Sequence, residues 1–138
     1  MKKPDRLNIY WHITGPDSAE RIMKEGINAD EEGYIYLLTE LEIPEDVYGK
    51  KISIPDIVVT SQIGYMNYII IEIDPKGITA RLQKDNVAEI TAYAQRRVKQ
   101  KKIEPKFLKI GKIQQVDVKQ VRLFNTLLIE KLMSITSK

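Results

Sequence analysis

The chain has a single histidine, His12, standing beside its single tryptophan, Trp11, in the apolar stretch Ile9 to Ile13. Thr14 and Gly15 follow directly. A polar ring near a strand end, then a hydroxyl, then a residue without a side chain, leaves main-chain groups open. That combination suits a ligand held by a few convergent polar contacts. The bland alternative is a structural histidine bonded to a backbone carbonyl. Tyr34 and Tyr36 lie two residues apart and offer an aromatic surface on one strand face, or else fill a core. Further on, Gln95-Arg-Arg-Val-Lys-Gln-Lys-Lys102 places five cations, Arg96, Arg97, Lys99, Lys101 and Lys102, in eight residues. Such a run is either a solvated face or a contact for phosphates of nucleic acid or of a dinucleotide. Aromatic interleaving around it is sparse, with Tyr93 and Phe107 as the neighbours. Tyr65 and Tyr68, around Gly64, line a pocket or pack in the core. There is no cysteine, which excludes thiol catalysis, cysteine zinc sites and disulfides, and fits a reducing cytoplasm. One histidine excludes a histidine-based metal cluster.

The elements that position these residues are legible between Asn8 and Glu40. An apolar strand, Ile9 to Ile13, is followed by the turn Thr14-Gly15-Pro16 and a helix from Asp17 to Glu25. Asp17 and Glu20 have the spacing of a capping box, and Ala19, Ile22 and Met23 form one apolar stripe. Gly26 offers the left-handed position that ends many helices, with Ile27 folding back on the last turn. Tyr34 to Thr39 reads as a second strand, apolar on both faces and therefore central.

In order and spacing, these residues resemble the N-terminal half of the ADP-ribosyltransferase-like superfamily, which includes mono-ADP-ribosyltransferase toxins, poly-ADP-ribose polymerases and RNA 2′-phosphotransferases. The matching residues are Tyr10, His12 and Thr14, then Ile22, Glu25, Gly26 and Ile27, then Gly33, Tyr36, Leu37 and Thr39. Ile103, Pro105, Phe107 and Leu108 resemble the element that follows the family's acid-bearing strand. The resemblance implies an α+β fold: a split β core of two mostly antiparallel sheets with a cleft between them and helices outside. It implies NAD as co-substrate. His12 would bond the adenosine ribose, the backbone at Thr14 and Gly15 would hold the nicotinamide amide, and Tyr36, with Tyr34 as the fallback, would stack on the cationic nicotinamide ring. The family's catalytic glutamate stabilises an oxocarbenium-like ribose and orients its hydroxyl. In this chain the corresponding window holds Gln95 and no carboxylate. Glu89 is the nearest upstream candidate for that role, with Glu72 another.

The 138 residues make one domain by length. The net charge of +3 hides an asymmetry: residues 1–89 carry 10 basic and 16 acidic side chains, residues 90–138 carry 12 and 3. The N-terminus has positive charge but no apolar run behind it, so no signal peptide is expected, and no segment reaches membrane-spanning length. Residues 40–56 read as a long surface loop with room for one turn of helix, a candidate lid, with Ile52, Ile54 and Ile57 touching the core. Met66 to Ile73 is the strongest strand signal and Ile78 to Leu82 a short one. Then helix and strand compete, Ala92 to Gln95 suiting a helix and Arg97 to Lys99 an edge strand. Phe107 to Ile113 reads as a strand, and Asn125 to Met133 as a final helix capped by Asn125. Two functions follow. One is a small NAD-dependent mono-ADP-ribosyltransferase, a toxin or phage-type effector acting on a protein or nucleic acid in the cytoplasm. The other is a module that has lost the acid and binds a nucleotide, a nucleic acid or a partner protein; a 2′-phosphotransferase-like enzyme stands behind both.

Overall fold

The computed structural model describes residues 9–60, 66–84 and 94–136. Six strands form one antiparallel sheet: β1 (Tyr10–Thr14), β3 (Tyr34–Leu38), β6 (Asn67–Ile73), β7 (Leu82–Lys84), β8 (Gln95–Lys99) and β10 (Leu108–Gln115), in the order β10-β6-β1-β3-β8-β7. Two short antiparallel ladders accompany it, β2 (Ile27–Asn28) with β9 (Lys102–Ile103) and β4 (Glu42–Ile43) with β5 (Ile52–Ser53). The helices are α1 (Pro16–Glu25), α2 (Glu45–Tyr48), α3 (Ile54–Val58) and α4 (Val118–Thr136). The fold is α+β with antiparallel sheets, and no helix among the described residues is long and apolar enough to cross a membrane.

Strand alternation sorts side chains onto two faces. Tyr10, Ile69, Ile71, Ile73, Leu108, Ile35, Leu37 and Val98 share one core with Ala19 of α1 and with Ile27 and Ile103 of the β2–β9 ladder. Ile13, Leu38 and Tyr68 face the other core, built with Ile43, Ile52, Ile54, Ile57, Val58 and Phe124. Fully burying one such isoleucine contributes about 2 kcal/mol. β1 pairs with β6 along its whole length, from Tyr10↔Ile73 to Thr14↔Ile69. β3 pairs with β8 equally continuously, from Tyr34↔Lys99 to Leu38↔Gln95. Between β1 and β3 the register holds only at Trp11↔Leu38. The sheet is therefore two three-stranded halves joined at one point.

Several boundaries differ from the sequence reading, each for a physical reason. α1 begins at Pro16 with Gly15 as its N-cap and no side-chain capping bond, so the Asp17–Glu20 capping box does not form. Proline at the first helical position needs no N–H there, which moves the start back one residue. Residues 40–56 are a packed hairpin and two short helices rather than an open loop, and Ile43, Ile52, Ile54 and Ile57 are buried. The short strand near Ile78 starts instead at Leu82, after a 3₁₀ turn at Pro75–Gly77. β8 is internal, between β3 and β7, not an edge. α4 starts seven residues before Asn125 because Asp117, whose Oδ1 accepts from the Lys119 and Gln120 amides, caps it.

Candidate functional site

His12 lies where the join between the two halves opens. Its registered partner is Ile71, so it belongs to the face covered by α1. Its Nδ1 sits 3.1 Å from the Tyr36 main-chain oxygen. A carbonyl only accepts, so Nδ1 carries the proton and the neutral ring's Nε2 is left as an acceptor. Side chain thus replaces main chain at the point where the β1–β3 ladder fails. Burial lowers the His12 pKa from its ordinary 6.5 and outweighs the Tyr36 carbonyl, which raises it. The ring is neutral at pH 7.

A pH dependence follows. The unfolded chain binds a proton at His12 near pH 6.5, whereas the folded chain resists it until lower pH. The stability associated with neutral His12 is fully present above pH 6.5 and falls as the pH drops from there toward the lowered folded value. Denaturant unfolding from about pH 7.5 to about pH 5 should show this loss, and His12→Gln should flatten it across that window.

Beside His12 a cleft of about 390 Å³ is lined by Arg21, Ile22, Glu25, Gly26, Ile27 and Asn28. The end of α1 forms this wall because Gly26, at φ +88°, turns the chain from helix into β2, its amide donating to the Ile22 carbonyl at 2.7 Å. At the rim Arg21 and Glu25 form an exposed 3.9 Å ion pair. Thr14 and Gly15 are buried at the end of β1, where Gly15 is also the N-cap of α1 and its carbonyl accepts from Ser18 and Ala19.

Tyr36 and Tyr34 stand on the opposite face. Asp30 sets them there: its Oδ1 accepts from the Glu32 and Tyr34 amides, and Gly33, at φ +90°, completes the turn into β3. Tyr36 is registered with Arg97, and Tyr34 with Lys99. The Arg97 guanidinium carbon lies 4.1 Å from the centre of the Tyr34 ring, and Lys99 Nζ 5.6 Å from it. No cation or aromatic ring among the described residues stacks on Tyr36. The structure therefore brings His12 to the Tyr36 backbone, while the phenol ring of Tyr36 projects to the other side of the sheet. Thr39, not singled out for a role beforehand, anchors the far end of β3: its amide and its hydroxyl both donate to the Ala94 carbonyl at 2.9 Å, fixing the start of β8.

Glu89 lies outside the described residues. Glu72 is registered with Trp11 and Lys109 and lines a different hollow, with Asp74, Lys106 and Lys109, so it does not share the His12 cleft. Gln95 is registered with Leu38, one strand over from the β1–β3 join. No group of three or more metal-ligating side chains occurs among the described residues. No family model matches the sequence, and no curated protein sequence matches it.

Proposed function

We propose that this chain is an ADP-ribosyltransferase-like protein that binds NAD at the opening between β1 and β3 and transfers ADP-ribose to a protein or nucleic-acid acceptor. The observation that carries this reading is the divided sheet, with His12 spanning its gap to the Tyr36 carbonyl. A split β core needs an interruption of this kind, and the interruption falls between the two strands that bear the family-like residues. The fit of the side chains supports the reading at one point. An Nε2 that can only accept suits a ribose hydroxyl, which donates. Both tyrosine rings stand on the face opposite the His12 cleft, and Tyr34 already carries the Arg97 guanidinium, so neither is a nicotinamide platform for a dinucleotide held there. Bound NAD would supply a ribose whose bond to nicotinamide can be broken. The chain's part is to hold that ribose and to stabilise its positive charge, with Glu89 as the proposed carboxylate.

Gln95 favours a second reading. It lies on the strand where the family carries its acid, and an amide cannot supply negative charge. In that reading the same opening binds a nucleotide without turnover. Incubation with labelled NAD and candidate protein and DNA targets separates the two. The transferase reading expects nicotinamide release and label transfer that stop in Glu89→Gln. The binding reading expects NAD to raise the melting temperature with no nicotinamide released. In both, His12→Ala should weaken NAD binding about tenfold, the value of roughly one hydrogen bond. Unchanged NAD affinity in that variant would overturn both.

A further inference from the structure

We propose that the Tyr34 end of the β3–β8 face is a binding strip for single-stranded nucleic acid, with Arg97, Lys99, Lys101 and Lys102 on its phosphates. This names the acceptor for the transfer described above, and it depends on that reading for the chemistry but not for the binding. These four cations make no ion pair among the described residues, where the ion pairs are Arg21–Glu25 and Glu20–Lys24, both on α1. Arg97 and Lys99 project from the same face of β8, about 7 Å apart along the strand. They are held in place without carboxylates. Arg97 rests on the Tyr34 ring, and its Nε is buried with no hydrogen-bond partner. Stacking rather than an ion pair positions this guanidinium, which leaves the fork of donors at its end for an incoming phosphate.

The corner between Lys99 and Lys101 is rigid as well. The Gln100 side chain accepts from the Thr79 and Ala80 amides and donates to the Gly77 and Lys102 carbonyls. Three carboxylates oppose this charge. Asp30, Glu31 and Glu32 lie on the turn before β3, but Asp30 Oδ1 is already engaged by two amides. Acidic peptides offer charge but no flat partner for the Tyr34–Arg97 stack. Unpaired bases offer both, because every base has a face that stacks on an aromatic ring or a guanidinium.

The test uses the full chain and fluorescein-labelled oligonucleotides of mixed sequence, with binding read by anisotropy. Single strands should bind with a log–log salt slope of about −3 between about 50 and 200 mM salt, the value for roughly four phosphates neutralised. Lys99→Glu with Lys101→Glu should weaken that binding by about tenfold or more while leaving NAD affinity unchanged. Tyr34→Ala, which removes the support of Arg97, should weaken single strands by about threefold to tenfold. Both lysines are exposed, and a melting curve verifies that the double variant is folded. Absence of binding at low salt, indifference to the two charge reversals, or equal binding of duplex or polyglutamate would overturn the strip. Loss of NAD binding alone would count against the dinucleotide site and leave the strip standing.

Discussion

Asp56→Ala should destabilise the protein by about 3 kcal/mol or more, lowering its melting temperature by roughly 10 °C. Asp56 is 4% exposed, inside α3, yet it is a carboxylate. Its Oδ1 accepts from the Tyr68 hydroxyl at 2.6 Å and its Oδ2 from the Asp117 amide at 3.0 Å. One side chain thus ties α3 to β6 and to the cap of α4. Burial and the Asp56 carboxylate together push the Tyr68 phenol well above its ordinary pKa of 10.0, so it stays a donor at every working pH. Alanine removes both acceptors, leaving the buried Tyr68 hydroxyl with Ser53 alone and the part-buried Asp117 amide without this partner. Tyr68→Phe removes only one donor and should cost about 1–2 kcal/mol. In a double-mutant cycle by urea denaturation, the two changes should be strongly non-additive, because each removes the same bond. Additive losses would show that the buried carboxylate is held by something other than the phenol.

The sequence revealed what local chemistry controls. The isoleucine run of β6 and the end of α1 at Gly26 are encoded within a few residues, and they fall where the pattern puts them. It was less informative where distant partners decide. Arg97-Val98-Lys99 reads as an edge strand because of its cations, but Val98 is fully buried and β7 covers the outer side. Residues 40–56 read as loop because their apolar residues show no period, although two short helices and a hairpin bury those isoleucines one by one. Asp56 gave one usable signal: a lone acid in the apolar run Ile54-Pro-Asp-Ile-Val58 must be buried with partners or must break the run.

For the site, the pattern put the His12 and Tyr36 rings on one ligand, whereas the structure joins the His12 ring to the Tyr36 carbonyl and turns the phenol to the opposite face. Strand periodicity does not say which faces two strands present to each other when their register holds at a single pair. The stacking of Arg97 on Tyr34 was also invisible, since β8 lies some sixty residues from β3 and only the register aligns them. That contact separates the two tyrosines: the Tyr34 ring supports a guanidinium, and no cation among the described residues stacks on Tyr36.

Gly26→Ala should cost about 3 kcal/mol or more and should also weaken any ligand that occupies the His12 cleft. Two separate penalties meet at this residue. Its φ of +88° with ψ of −179° is a conformation that side-chain-bearing residues rarely adopt, and it is not the ordinary left-handed helix end. An added Cβ would also run into the Ile103 carbonyl oxygen and approach the Pro105 ring. Neither is a flexible side-chain tip, so relief requires β2 and β9 to part at their Ile27↔Ile103 pair. Ile27 and Ile103 belong to the same buried core as Ile71 and Ile73, and Gly26, Ile27 and Asn28 line the wall facing His12. Gly49→Ala is the control that isolates contact from conformation. Gly49 has a positive φ of +72°, but an added Cβ there meets nothing within 4 Å, so the cost should be about 1 kcal/mol. Urea denaturation of the two variants should therefore separate by about 2 kcal/mol, and equal losses would mean that α1 does not press against β9 at this point.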